Sequence, residues 1–145
     1  MKILSIEIMG NTAGILILKG NKNNYNVTSL GKQFPLPKED TSISDFLSFE
    51  QDFSNFIKKQ NVDCVTLCEG GKDSKKMRVR MEFLVLTGCK KQNIEYKTYP
   101  TGSCTRLINT TYKKETQKEF SEELKAFKLP KYMSKALICG WRFLE

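Results

Sequence analysis

The sequence of 145 residues contains no histidine. Histidine is the commonest general base and a usual zinc ligand, so its absence excludes histidine-based catalysis and histidine zinc sites. Long apolar runs are also missing: the longest, residues 15–18 and 83–86, fall far short of the ~20 residues that cross a bilayer. No N-terminal signal pattern is present, and we expect a soluble, cytoplasmic protein without membrane contact.

The five cysteines form no CxxC pair and are odd in number. They are Cys64, Cys68, Cys89, Cys104 and Cys139. Most of them lie in apolar segments, and no histidine is available to activate a thiol. We therefore interpret them as small buried side chains in a reducing compartment, and not as disulfides or catalytic nucleophiles.

The length of the chain limits the number of domains, and its charge limits the class of partner. A chain of this length forms one domain, residues 1–145, and can bury about two-thirds of the surface that its unfolded form exposes. The 24 Lys and Arg residues exceed the 16 Asp and Glu residues, which gives a formal charge of +8. This excess favours an anionic partner, either nucleic acid or an acidic protein.

Three strands are predicted at the start of the chain. Residues 2–9 and 12–19 are rich in β-forming residues and are separated by Gly10-Asn11, a pair that permits positive φ and a tight hairpin. Residues 25–30 supply a third strand after a polar turn. The sheet therefore begins as an antiparallel meander.

A helix and a parallel strand are predicted next. Apolar side chains recur at steps of three and four behind a cap at Ser42 or Ser44, namely Phe46, Phe49, Phe53, Phe56 and Ile57. A fourth strand, residues 63–68, follows this helix. A strand–helix–strand order favours a right-handed crossover and parallel pairing, so we expect the fourth strand beside the first.

The rest of the chain alternates helices with one more strand. We predict a helix over 74–92, a strand over 94–99, a short helix from Pro100 to 109, a polar connector over 110–114, a charged helix over 116–127 and a last helix over 131–144. Trp141 is expected to pack on the sheet from the last helix. The fold class is α/β, a mixed five-stranded sheet of three antiparallel and two parallel strands flanked by helices.

Two acidic residues stand at the tips of two predicted strands. Glu7 lies at the end of the first β-rich run, and Glu69 follows the fourth. Strand tips are where α/β proteins place their sites, and a carboxylate beside an apolar strand costs several kcal/mol unless it is paired, protonated or metal-bound. Taken singly, Glu7 is better explained as a solvent-exposed strand end, and Glu69 as a residue before the Gly70-Gly71 turn that pairs with a nearby lysine. Taken jointly on adjacent strands, the two are equally well explained as an acidic site.

The order of elements and the opening motif resemble the RNase H-like superfamily. The segment Ile6-Glu7-Ile8-Met9-Gly10-Asn11 resembles the first hairpin of an uncharacterised family of short bacterial RNase H-like proteins, and Glu69 fits that family too. A wider similarity is to RuvC-type resolvases, in which a long basic helix follows the second acidic residue and leads to a strand and a Pro-led helix. The resemblance covers most of the chain.

The resemblance implies a metal-dependent phosphodiesterase site. In such nucleases, acids hold divalent ions roughly 3.5 to 4 Å apart, so Glu7 and Glu69 would be catalytic residues and ligands for Mg²⁺ or Mn²⁺. The third ligand is missing, because Ser134 and Lys135 stand where the RuvC-type pattern carries aspartate, and Tyr132 replaces another acid. Substitute ligands remain open among Asp63, Asp73, Glu119, Glu122, Glu123 and Glu145. Alternatively, Lys135 neutralises the carboxylates without any metal.

A basic stretch directly follows Glu69. Five basic residues occur within nine positions: Lys72, Lys75, Lys76, Arg78 and Arg80. They would place cations at the mouth of the acidic site, where phosphates would lie, and Arg106 would extend the patch, with Tyr112 available to stack on a base. The alternative is an ordinary solvated helix face, since Met77 and Met81 occupy the apolar side.

Two hypotheses follow from these observations. The first is a nuclease-derived protein that binds nucleic acid and acts as a metal-dependent endonuclease on structured DNA or an RNA-containing duplex. The second is a catalytically inactive RNase H-like module that binds nucleic acid or blocks a partner protein. The resemblance to resolvases also implies a homodimer, although no long exposed apolar stripe is evident in the sequence.

Overall fold

One mixed sheet of five strands organises the chain. The computed structural model describes all residues, 1–145. The strands are β1 (Lys2–Met9), β2 (Thr12–Asn21), β3 (Asn24–Gln33), β4 (Cys64–Glu69) and β5 (Glu95–Pro100), in the order β3-β2-β1-β4-β5. Pairing is antiparallel from β1 to β3 and parallel for β1–β4 and β4–β5. The predicted fold class is therefore confirmed, with β4 beside β1.

The turn between β1 and β2 uses the predicted pair of residues. Gly10 has a positive φ of 60°, which glycine adopts without the steric penalty of a side chain. Asn11 bonds the segment after β3: its carbonyl accepts the Leu36 N–H at 2.9 Å, and its side-chain amide donates to the Leu36 carbonyl. These two hydrogen bonds join the β1–β2 turn to the loop that follows β3.

Two helices cover one face of the sheet. Helix α1 (Ile43–Gln60) has Ser42 as its N-cap, and the Ser42 hydroxyl accepts the Asp45 N–H in a capping box. Its buried side chains Phe49, Phe53 and Ile57 pack with the apolar side of α2 (Lys76–Lys91) and with alternate residues of β1 and β4. The phenylalanine periodicity predicted this helix and its inner face.

The last helix covers the other face. Helix α6 (Ser134–Arg142) follows a 3₁₀ turn over Lys131–Met133 and packs against β1, β2 and β4. The Ser5 hydroxyl of β1 donates to the Ala136 carbonyl at 2.6 Å. Trp141 is buried in this cluster, as predicted. The five cysteines are all buried and free, which agrees with their interpretation as packed side chains.

The region between β5 and α6 differs from the prediction. Helix α3 (Thr101–Arg106) continues as a π-helical segment, Leu107–Tyr112, and then as α4 (Lys113–Thr116). The predicted polar connector over 110–114 is therefore wrong, and the charged helix is shorter, α5 (Phe120–Ala126). Burial explains the difference: Tyr112 is 1% exposed and its ring lies 4.8 Å from that of Trp141. Stacking of Tyr112 on a base is thus excluded.

None of the helices has the length and apolar character that crossing a lipid bilayer requires.

An acidic site and a basic cleft at the carboxyl ends of β1 and β4

Glu7 is buried near the end of β1. Only 6% of the residue is exposed, and strand alternation places it on the face covered by α6, together with Ser5. The parallel register with β4 sets Cys68 directly beside Glu7. Glu7 is therefore a carboxylate inside the protein, and the expectation of a solvent-exposed strand end does not apply to it.

Glu69 lies one residue beyond the position beside Glu7. It pairs with Pro100 of β5 and is half-buried, and its carboxylate takes part in none of the side-chain hydrogen bonds or ion pairs of the chain. Because successive residues of a strand alternate, Glu69 is directed to the face opposite that of Cys68. Both predicted acids thus lie near the carboxyl ends of the neighbouring strands β1 and β4. Their joint role remains a prediction.

A third carboxylate, Glu82 of α2, belongs to this site. Its Oε1 accepts the Gly70 N–H at 2.9 Å and pairs with Nε of Arg78 at 2.8 Å. The Glu82 side chain is 12% exposed. Sequence reasoning missed this residue, although an arginine and a glutamate four positions apart on a helix signal a side-chain pair.

Arg78 connects the buried Glu7 with the partly buried Glu82. From α2 its Nη2 donates to the Cys68 carbonyl at 3.0 Å and lies 3.8 Å from Oε1 of Glu7, while its Nε bonds Glu82. Its side chain is 20% exposed. Arg78 was predicted as a phosphate contact at the mouth of the acidic site. Most of its guanidinium is bound within the protein, and its contact with phosphate remains a prediction.

Gly70 makes room for this arginine. A Cβ atom at residue 70 would lie 2.7 Å from Nε and 3.0 Å from Cδ of Arg78, and would overlap the Ser74 hydroxyl. These distances are shorter than normal van der Waals contacts. The loop after β4 therefore approaches Arg78 as closely as glycine allows.

The electrostatics of Glu7 reflect its burial. Removal from water raises the pKa of Glu7 to about 7, while the positive charges of Arg78 and Lys135 act to lower it. The neutralisation of the carboxylates by Lys135 of α6 remains a prediction. Among the positive charges, however, Arg78 has the larger effect on the pKa of Glu7 and makes the direct contacts.

The residues present do not fit a divalent metal centre. Mg²⁺ requires near-octahedral oxygen coordination, yet no group of three or more His, Cys, Asp or Glu side chains is arranged to hold a metal ion. Two of the acids considered as substitutes lie elsewhere: Asp63 accepts the Lys2 N–H at the start of β1, and Glu123 pairs with Lys118 at 3.9 Å. Asp73 lines the cleft described next. Arg78 occupies the space between Glu7 and Glu82.

A basic cleft opens beside the acidic site. It encloses about 670 Å³ between the β1–β2 turn, the loop after β3 and the loop between β4 and α2. Its lining includes four basic residues and one acid: Lys38, Lys72, Lys75, Arg78 and Asp73. Three of these, Lys72, Lys75 and Arg78, belong to the predicted basic stretch. Lys38 and Asn11, which also line it, were not predicted.

The other predicted basic residues lie outside this cleft. Lys76 and Arg80 are exposed on α2, and the Arg80 guanidinium lies over the Phe46 ring at 5.7 Å. Arg106 is exposed on α3. The exposure of Lys76 and Arg80 agrees with the alternative that this part of the basic stretch is an ordinary solvated helix face. Their contact with nucleic acid remains a prediction.

A family model described as "Protein of unknown function (DUF3010)" matches residues 1–140. The chain belongs to this family. No curated protein matches the sequence significantly.

Solved structures place this DUF3010 member in a wider fold group. A Thermus thermophilus RuvC structure superposes with a TM-score of 0.71 at 10% identity, covering 97% of this chain and 92% of that one. The yeast mitochondrial Holliday junction resolvase Ydc2 gives 0.62 at 11% identity, covering 96% and 77%. A fowlpox virus resolvase bound to Holliday junction DNA gives 0.55 at 11% identity, covering 99% and 96%. The fold is therefore that of RuvC, an RNase H-like fold.

An exposed apolar patch adds a surface that the sequence did not indicate. Ile43 and Leu47 of α1 are 78% and 60% exposed, and Val79 and Phe83 of α2 are 55% and 65% exposed. Each pair is spaced by four residues and lies on the outer side of its helix. These side chains fall outside the stripes that pack on the sheet, and they form a short patch across two helices.

Proposed function

We propose that this DUF3010 protein binds nucleic acid by holding backbone phosphates in the basic cleft, without hydrolysing them. The observation that carries the proposal is the position of Lys38, Lys72 and Lys75 around one cleft at the carboxyl ends of β1 and β4. Lysine ammonium groups attract phosphates, and binding releases counterions from the nucleic acid. A single acid, Asp73, opposes these cations within the cleft.

The fold supports this choice of partner. Two of the similar structures, those of Thermus thermophilus RuvC and of the fowlpox virus resolvase, contain Holliday junction DNA. The carboxyl ends of the central parallel strands are also where α/β proteins commonly bind ligands. The excess of positive charge on the whole chain, +8, acts in the same direction.

The absence of hydrolysis follows from the side chains around Glu7. Cleavage by the expected mechanism would need Mg²⁺ or Mn²⁺ held by Glu7 and Glu69. In the folded chain, Cys68 takes the position beside Glu7, and Arg78 supplies the positive charge. We therefore favour the binding module over the endonuclease, and the Glu7→Gln variant distinguishes them. An endonuclease would lose Mn²⁺-dependent cleavage in this variant, whereas the proposed module cleaves nothing in either form.

Fluorescence anisotropy with a labelled four-way junction, a duplex and an RNA–DNA hybrid tests the binding proposal. The double variant Lys72→Ala/Lys75→Ala should bind the preferred substrate at least tenfold more weakly at low salt. The matched control Lys58→Ala/Lys59→Ala removes the same charge from the last turn of α1, where both lysines are exposed. Equal losses in both double variants, or no binding by the wild type, would refute a specific role for the cleft.

A further inference from the structure

Glu7 of β1 and the mostly buried Glu82 of α2 already have a cation of their own. Arg78 donates to Glu82 at 2.8 Å and to the Cys68 carbonyl at 3.0 Å, and its Nη2 lies 3.8 Å from Glu7. Buried carboxylates need a counter-charge, because unpaired they would be strongly destabilising. The guanidinium forms an ion pair with each of the two residues.

The surrounding backbone holds the guanidinium in place. The Cys68 carbonyl accepts a hydrogen bond from Nη2 of the guanidinium. Oε1 of Glu82 accepts from Nε of the guanidinium and also from the Gly70 N–H, so the backbone of Gly70 holds Glu82 in position for Arg78. Because a Cβ at residue 70 would lie 2.7 Å from Nε of Arg78, the loop packs closely against the guanidinium on this side. As a general property, arginine side chains in proteins keep their positive charge.

We infer that Arg78 is the resident cation of the Glu7–Glu82 site and excludes a divalent metal ion from it. A divalent ion could enter only by displacing a guanidinium that makes two hydrogen bonds and one ion pair within the protein. The inference goes beyond nucleic-acid binding, because it concerns which cation the carboxylates accept. It also assigns Glu82 to the site that was predicted from Glu7 and Glu69.

The experiment is a Mn²⁺ titration of the purified protein at pH 8, followed by calorimetry. Wild type should show no Glu7-dependent Mn²⁺ site. Arg78→Met keeps the apolar stem and removes the charge. This variant should gain a Mn²⁺ site whose affinity is at least tenfold higher than that of any Mn²⁺ binding by wild type. Adding Glu7→Gln to Arg78→Met should abolish this gain.

Arg80→Met is the matched control, since it removes the same charge from the same helix while Arg80 lies over Phe46 and away from the acids. It should behave as wild type. A folded Arg78→Met protein with no gain in Mn²⁺ affinity, or an equal gain in Arg80→Met, would overturn the inference.

A second measurement uses the wild type alone and does not depend on the folding of any variant. Bound Mn²⁺ broadens nearby amide resonances in an NMR spectrum. The amide signals of Cys68 and Gly70 should stay sharp at Mn²⁺ concentrations in the millimolar range. Selective loss of these two signals at micromolar Mn²⁺ would show that a metal binds despite Arg78, and would overturn the inference.

Discussion

Nη2 of Arg78 lies 3.8 Å from Oε1 of Glu7, so a side chain of α2 reaches a strand residue on the face that α6 covers. The contact passes the carboxyl end of β4, where the same nitrogen donates to the Cys68 carbonyl. Helix α2, strand β1 and strand β4 are thereby tied together at the edge of the basic cleft. Several consequences for stability can be measured.

Replacing Glu82 with glutamine should destabilise the protein by about 1–3 kcal/mol, the usual cost of losing a charge-assisted hydrogen bond at a mostly buried position. The glutamine carbonyl can still accept the Gly70 N–H. The decrease in the free energy of unfolding therefore reports the loss of the negative charge that pairs with Arg78. Urea unfolding measures the effect. Glu50→Gln serves as the control, because its partner Lys91 is largely exposed and the change should stay within about 1 kcal/mol. Equal effects of the two substitutions would argue against a special role for Glu82.

Stability should depend on pH through Glu7. Its pKa is about 7 in the folded protein, against an ordinary value of 4.5, so the folded state holds this proton more tightly than the unfolded state. The stabilisation is fully present below pH 4.5 and is lost as pH rises through 7, and it amounts to about 3 kcal/mol. Wild type should therefore lose stability relative to Glu7→Gln between pH 5 and pH 8 in urea titrations. A constant difference across this range would contradict the raised pKa.

Much of the architecture could be predicted because it is encoded locally. The pair Gly10-Asn11 fixed the first hairpin, and the phenylalanine stripe with its Ser42 cap defined α1. Crossover handedness then placed β4 beside β1. Each of these inferences needs only residues that are close in sequence or a rule about chain connection.

The composition of the acidic site could not be predicted in the same way. Parallel register is not set by a turn, and a shift of one residue decides whether Cys68 or Glu69 lies beside Glu7. The position of Arg78 after Glu69 predicted a cation at the mouth of the site, but it does not show that the side chain passes Gly70 and reaches Glu7. Tyr112 was misassigned for a similar reason, because the Trp141 ring that it packs against comes from a distant helix.

Gly70→Ala should be far more disruptive than the same change at the next residue. A Cβ at residue 70 would lie 2.7 Å from Arg78 Nε, so the arginine or the loop must move, at a cost of about 1–3 kcal/mol. Gly71→Ala is the control, since nothing lies within 4 Å of its Cβ and its effect should be within about 1 kcal/mol. Thermal and urea unfolding measure both. Similar stabilities of the two variants would show that Arg78 is not confined by the loop.

The salt dependence of binding should report the number of phosphates that the cleft contacts. Each phosphate contact contributes about 0.9 to the slope of log K against log salt concentration on duplex DNA, so losing Lys72 and Lys75 should reduce the slope by up to about 1.8. Lys58→Ala/Lys59→Ala should leave the slope unchanged, because these lysines lie near the end of α1 and outside the cleft. Anisotropy titrations from 50 to 200 mM salt provide the measurement. If affinity falls without a change in slope, the two lysines support the fold of the loop and do not contact phosphates.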